Sequence, residues 1–178
     1  MAKLFFRYGA MGSSKTANAL MTRFNYEEKG NHVWLIKPDI DNRDDYINEQ
    51  GERVTVVKSR IGLSAVADVI GKDENLIKRV SDITKATKLD VIICDECQFL
   101  TPEQIDQLRY IVNDFNVPVM CFGLRTDFQT RLFPGSRRLM EVADTIQEIK
   151  TICDCGAKAT VNARISDGYI VTEGAQVV

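Results

Sequence analysis

Gly9, Lys15 and Thr16 carry the first chemistry legible in the sequence. In residues 8–20, YGAMGSSKTANAL, they hold the fixed places of a phosphate-binding loop, G-x-x-x-x-G-K-[ST]. Such a loop curls the backbone N–H groups of Gly9, Ala10, Met11, Gly12, Ser13 and Ser14 around phosphate oxygens. The lysine reaches the β- and γ-phosphates, the threonine hydroxyl ligates magnesium, and the following helix points its positive end inward. Ser14 stands where the pattern has its second glycine. Its β-carbon is expected to change the loop, although its hydroxyl offers another donor to phosphate. On this stretch alone two readings stay open: a nucleotide site, or a helix start rich in small residues.

The second chemistry lies in LDVIICDECQFL, residues 89–100, where an apolar run ends in Asp95 and Glu96. At the carboxyl edge of a parallel sheet, where ligands of open α/β folds bind, Asp95 is placed to hold magnesium and Glu96 to act as general base. The alternative is a strand-to-helix turn with two solvated acids. Two half-motifs on separate strands support each other, and the nucleotide reading gains from both.

A third group lies in CFGLRTDFQTRLFPGSRRL, residues 121–139. Phe128 and Phe133 in a polar loop suit a flat ring stacked in a pocket, or core packing beneath a loop. Arg125, Arg131, Arg137 and Arg138 either touch phosphates or form a solvated face. Cys94 and Cys97 have C-x2-C spacing, but Cys94 falls within the buried strand pattern, so both read as packing residues. Cys153 and Cys155, in CDCG, resemble half a zinc knuckle, and two ligands do not close a tetrahedral site. His32, the only histidine, reads as a surface residue.

The elements that must position these residues alternate. Residues 4–8, 33–37, 90–94 and 118–122 read as strands, and 15–29, 63–71 and 102–114 as helices. Thr101, Pro102 and Gln104 give the last helix an N-cap, a first-turn proline and a capping box. This order predicts a parallel α/β sheet with helices on both faces. Residues 39–62 read as a polar excursion, a lid or hairpin, with Asp41 and Arg43 overhanging the ligand edge. After about residue 150, short alternating runs and glycines predict a small β-rich appendage over 151–178, distinct from a nucleotide-binding unit over 1–150.

Composition sets outer bounds. The 178 residues are 44% hydrophobic and 27% charged, with a net charge of -2, as in a globular domain without a nucleic-acid-coating surface. No apolar run approaches the roughly 20 residues that span a bilayer. The N-terminus does not read as a signal peptide, and five cysteines without an export signal fit a reducing, cytoplasmic setting.

In order and spacing, YGAMGSSKT, DIDNR, SRIGLS, DECQFLT, GLRTDFQTRLFPGS and KTICDCGAKA…NAR…EGAQVV resemble the type II thymidine kinases, most closely their bacterial branch. The resemblance covers essentially the whole chain, and DECQFL with GLRTDF is its most specific part. It implies a RecA-like P-loop fold with a zinc-bearing lasso, and transfer of the ATP γ-phosphate to the 5′-hydroxyl of thymidine, deoxyuridine being a further candidate. It implies that residues 9–16 cradle ATP, that Thr16 and Asp95 associate with magnesium, and that Glu96 takes the hydroxyl proton. Met11, Phe99, Leu124, Phe128 and Phe133 match positions lining the nucleoside pocket, with Gln98 and Arg164 nearby. Gln176, Val177 and Val178 match the first arm of the lasso, whose backbone holds the thymine ring. Asp41 and Arg43 match a lid near the phosphates. Cys153 and Cys155 match two ligands of a structural zinc, the other pair following in the family beyond the position of Val178. A homotetramer and inhibition by dTTP are implied likewise. Ser14 departs from the family's glycine.

Three functions follow for test: a thymidine kinase, a nucleotide-binding relative whose turnover Ser14 impairs, and a DExx-type ATPase. The last is disfavoured by the length, too short for two motor domains, and by the slightly acidic charge.

Overall fold

The computed structural model describes residues 1–40 and 45–174. In chain order the elements are β1 (Leu4–Tyr8), α1 (Lys15–Glu27), β2 (Val33–Pro38), β3 (Tyr46–Ile47), β4 (Arg53–Val54), β5 (Val56–Lys58), β6 (Ser64–Val66), β7 (Asp68–Ile70), α2 (Leu76–Ala86), β8 (Val91–Cys94), α3 (Pro102–Tyr110), β9 (Val119–Gly123), α4 (Pro134–Val142) and β10 (Thr145–Glu148). Four short strands follow: β11 (Thr151–Ile152), β12 (Lys158–Ala159), β13 (Arg164–Ser166) and β14 (Tyr169–Val171). Six strands form one sheet in the order β10-β1-β9-β8-β2-β7, every neighbouring pair parallel.

The central strands are apolar because both of their faces are covered, and alternate residues divide between two cores. Leu35, Val91, Ile93, Met120 and Phe122 pack with Ala19 and Leu20 of α1 and with Val57 of β5. Trp34, Ile36, Ile92, Cys94 and Cys121 point the other way, toward Leu76 and Val80 of α2, Ile105 and Leu108 of α3, and Leu139 of α4. The capping box at Thr101 and Gln104 forms as expected, with Pro102 opening α3. That helix ends in one wider π-type turn, residues 111–115.

The expected helix over 63–71 is instead β6 and β7. Val66 pairs with Val56 in an antiparallel hairpin, and Ile70, almost wholly buried, sits beside Pro38 on the edge of β2. The alanines gave the segment a helical look, but the open edge of β2 offered a ladder that local preference does not outweigh. The excursion over 39–62 contains the β3–β4 hairpin and the first strand and turn of the β5–β6 hairpin, whose second strand lies beyond it. It is tied to the end of β2 through Asp45, whose carboxylate accepts from Arg53 Nε at 2.7 Å and Thr55 Oγ1 at 3.0 Å and faces Lys37 Nζ at 3.5 Å. Burial alone would raise the Asp45 carboxyl, but these donors and the Val56 N–H hold it below the usual carboxylate range.

Residues 151–174 form two hairpins, β11–β12 and β13–β14, against the ligand edge of the sheet. Asn162 Oδ1 accepts from the Met11 N–H at 2.7 Å, and the Thr151 hydroxyl donates to the Gly12 carbonyl at 3.3 Å. Gln129 Nε2 donates to the Thr172 carbonyl at 2.7 Å.

Candidate active site

Adjacent strand ends assemble the site. β1 ends at Tyr8, just before Gly9, β8 at Cys94, just before Asp95, and β9 at Gly123, and the Gly9 N–H donates to the Gly123 carbonyl at 3.3 Å. The loop after β1 then turns back so tightly that Gly9 has no room for a side chain. A β-carbon there would lie 2.3 Å from Ser13 Oγ and 2.4 Å from the Ile149 carbonyl oxygen. Ser14 is the N-cap of α1 and adopts the left-handed conformation, φ 58° and ψ 29°, without a side-chain capping bond. The pattern's glycine is thus required here for its torsion angle, and serine keeps the conformation at a steric cost of about 1–2 kcal/mol. Ser14→Gly is expected to raise unfolding stability by about 1 kcal/mol with no loss of turnover, read by urea denaturation and steady-state kinetics. Unchanged stability would refute the strain.

Lys15 is buried and folds over the loop, donating to the Ala10 carbonyl at 2.9 Å and facing Ser13 Oγ at 3.4 Å. Burial draws its ammonium below the usual lysine range, against the pull of Glu96 and Asp95. The Thr16 hydroxyl donates to Asp95 Oδ2 at 2.9 Å, so the loop and the acid of β8 meet directly. Two oxygen donors side by side, one an anionic carboxylate, fit a hard divalent cation such as magnesium.

Asp95 is 4% exposed. Burial, with the neighbouring Glu96 charge, pushes its carboxyl up to about 7, against the Thr16 hydrogen bond and Lys15. Because folding raises this pKa, its contribution to stability is present at acid pH and is lost as pH rises from about 4 to about 7. A cation bound at Asp95 displaces the same proton. Magnesium affinity is therefore expected to increase between pH 6 and 8, and Asp95→Asn to flatten that dependence. Magnesium titrations of both proteins check it, and equal slopes would refute it.

Glu96 also sits in the left-handed region, φ 51°, which turns its side chain out of the strand direction before a single 3-10 turn over Cys97–Phe99. Gln98 holds it there. Its Oε1 accepts from the Leu124 N–H at 3.0 Å, so its Nε2 is the end that donates to Glu96 Oε2, at 2.5 Å. Gln98 is itself buried, a support beneath Glu96 and Leu124. Cys94 and Cys97 are buried too, and burial pushes both thiols well up, as suits packing groups.

Beyond Glu96 the expected nucleoside residues form two groups. Phe99 and Phe133 meet edge to face at 5.5 Å, and Phe133 is buried beside α4. Phe128 lies under the Arg164 guanidinium, 3.8 Å from ring centroid to Cζ. Leu124 is half-buried, and Met11 is exposed on the phosphate loop. Arg125 stacks on Tyr8, and Arg138 pairs with Asp106 and Glu141 away from the loop. Asp41, Arg43, Gln176, Val177 and Val178 lie outside the described residues. His32 is exposed, with its ring nitrogen 3.0 Å from the Lys88 carbonyl oxygen.

Cys153 and Cys155 are exposed on the β11–β12 turn, and the Ala157 N–H, with Cys153, holds the Cys155 thiol below its usual range. Thiolate character suits zinc, but among the described residues no group of three or more His, Cys, Asp or Glu side chains gathers around a common point. No helix among the described residues is long and apolar enough to cross a membrane.

The sequence reading missed Arg60, at the tip of the β5–β6 hairpin. A β-carbon on Gly12 would be 3.9 Å from its Nη1. It lies within SRIGLS, one of the segments that carry the resemblance, but no spacing within that segment shows that the β5–β6 hairpin brings it to Gly12.

The chain is similar to known proteins along its full length. It is 41% identical to the thymidine kinase of Shewanella oneidensis over 178 residues, 99% of this chain and 88% of that one. The thymidine kinase of Legionella pneumophila is 43% identical over 180 residues, 100% of this chain and 82% of its own. That of Enterobacteria phage T4 is 42% identical, covering 99% and 88%. Among solved structures, the Pif1 helicase from Candida albicans has a TM-score of 0.47 at 15% identity over 85% of this chain and 36% of that one, too distant to bear on function. The family model for thymidine kinase matches residues 2–178. With a match of that span and relatives of that identity, the chain belongs to the thymidine kinase family.

Proposed function

We propose that the protein transfers the γ-phosphate of ATP to the 5′-hydroxyl of thymidine, giving dTMP for nucleotide salvage. The observation that carries this reading is the direct Thr16–Asp95 contact with Glu96 held one residue away, which joins a phosphate loop to a general base at one sheet edge. The loop over residues 9–16, through those backbone N–H groups not bonded to Gly123, Ala10 and Asn162, binds the triphosphate with Lys15 and the N-terminus of α1. Thr16 and Asp95 are the magnesium ligands, Asp95 directly or through water. The ion, when bound, neutralises charge on the phosphate oxygens. Phe99, Leu124, Phe128, Phe133, Met11 and Arg164 form the nucleoside side, with Gln176, Val177 and Val178 continuing it. By the family resemblance, Asp41 and Arg43 belong to a segment near the phosphates. Glu96 accepts the 5′-hydroxyl proton as the oxygen attacks, and Lys15 stabilises charge on the transferred group.

Residues 1–150 form the kinase unit in this reading, and 151–178 the first part of a zinc-bearing lasso. Zinc held by Cys153 and Cys155 with two further ligands, a homotetramer, dTTP inhibition and a cytoplasmic setting rest on the family resemblance. Metal analysis and light scattering check the first two; a zinc-free active chain or an active monomer would count against them.

The deciding assay supplies ATP, magnesium and thymidine and follows ADP release. Release that requires thymidine and yields dTMP is expected. Hydrolysis without thymidine, stimulated by nucleic acid, would replace this reading with the ATPase. ATP binding without turnover, cured by Ser14→Gly, would replace it with an impaired binding protein.

A further inference from the structure

Arg60 occupies a turn that is rigid and well rooted. The Ser59 N–H donates to the Leu63 carbonyl at 2.8 Å, the Leu63 N–H returns a bond to Ser59 Oγ at 3.0 Å, and the Gly62 N–H reaches the Ser59 carbonyl at 3.1 Å. Below the turn, Val57 is buried in the core that α1 shares with the sheet. The hairpin therefore has a fixed position relative to α1, and α1 begins at the phosphate loop. The Arg60 side chain extends from this support to Gly12, at the crest of that loop.

Its electrostatic setting is unusual. Arg60 is exposed and, among the described residues, has no hydrogen bond or ion pair. It lies instead near a second cation, Lys15, whose ammonium its field disfavours. Several surface guanidiniums are paired, Arg53 with Asp39 and Asp45, Arg79 with Asp68 and Glu74, Arg138 with Asp106 and Glu141. What distinguishes Arg60 from the exposed Arg131 and Arg137 is its place beside Gly12 and Lys15. A guanidinium presented from a rooted turn beside a lysine, at the crest of a phosphate-type loop, is complementary to a polyanion. A planar fork of donors suits phosphate oxygens in particular.

We propose that Arg60 is a phosphate-binding residue of this site, donating to the triphosphate of ATP from its place beside Gly12 at the crest of the loop. The proposal rests on the reading of residues 9–16 as the ATP site. It gives the β5–β6 hairpin a role in binding the phosphate donor, separate from the nucleoside side.

The test compares wild type, Arg60→Ala and Arg60→Lys by calorimetry with magnesium and a non-hydrolysable ATP analogue, with adenosine as control, together with thymidine kinetics. Arg60→Ala is expected to weaken analogue binding by about 10–100-fold, the range of a lost hydrogen bond between charged groups. Arg60→Lys should recover part of it, while adenosine affinity, the KM for thymidine and the ligand-free melting temperature stay at wild-type values. A purely structural role would instead lower the melting temperature and weaken every ligand. Analogue affinity unchanged in Arg60→Ala, in a wild type that binds the analogue, overturns the proposal whether or not thymidine is phosphorylated. A wild type that binds the analogue but transfers nothing removes the proposed reaction and leaves calorimetry to decide Arg60. A wild type without analogue affinity overturns both.

Discussion

Glu96→Gln is expected to lower kcat for thymidine phosphorylation by about 10²–10⁴-fold, the usual worth of a positioned general base, with ATP affinity near that of wild type. The replacement has the same shape, and a glutamine carbonyl still accepts from Gln98 Nε2, so the side chain keeps its place while losing its basicity. A second effect separates this variant from a folding defect. The Glu96 charge helps to raise the Asp95 carboxyl, so its removal should move the Asp95 titration toward acid and allow magnesium to bind at lower pH. Magnesium titrations at pH 6 would register that shift. A Glu96→Gln enzyme that retains more than a tenth of wild-type kcat would exclude Glu96 as the base.

Lys15→Met is the other large expected loss, about 10²–10³-fold in kcat/KM for ATP, as when one preorganised electrostatic group is taken from a phosphoryl-transfer site. Methionine keeps most of the length and buried bulk of lysine at the first position of α1 and removes only the charge and its bond to the Ala10 carbonyl. The fold should therefore persist, as checked by circular dichroism, and thymidine affinity should change little. Kinetics within tenfold of wild type would mean that Lys15 keeps its contact with the loop during turnover and does not act on the phosphates.

Much of this arrangement was legible in the sequence, for identifiable reasons. The strands at 33–37, 90–94 and 118–122 were clear because sheet strands buried on both faces become continuous apolar runs, while 4–8 is only partly buried and was marked by its apolar, aromatic start. The meeting of Thr16 with Asp95 followed from placing both at the carboxyl ends of such strands. Residues 63–71 misled because edge pairing with β2 is a tertiary fact, invisible to local pattern. The helix α4 was passed over as part of a loop, although Pro134 at its start and buried Leu139 within it were usable signals. The helix α2 was likewise announced by Asn75, whose side chain accepts from the Lys78 N–H, and by Leu76 and Val80 one turn apart. Gln98 was placed near the nucleoside pocket by the family resemblance alone. Its double bonding to Glu96 and Leu124 depends on β9 lying beside β8, which no spacing within DECQFL encodes.

The two glycine places of the phosphate-loop pattern carry unequal evolutionary constraint. At Gly9 the obstacle to any side chain is occupied space, set by Ser13 and the Ile149 backbone, and no single neighbouring change relieves it. At Ser14 the obstacle is one torsion angle in an exposed residue, a burden small enough for other parts of a stable domain to absorb. Drift can therefore pass through position 14 while position 9 stays closed to it. Lineages that have lost the second glycine and keep a functional loop are the expected outcome, and a strict sequence pattern would discard them.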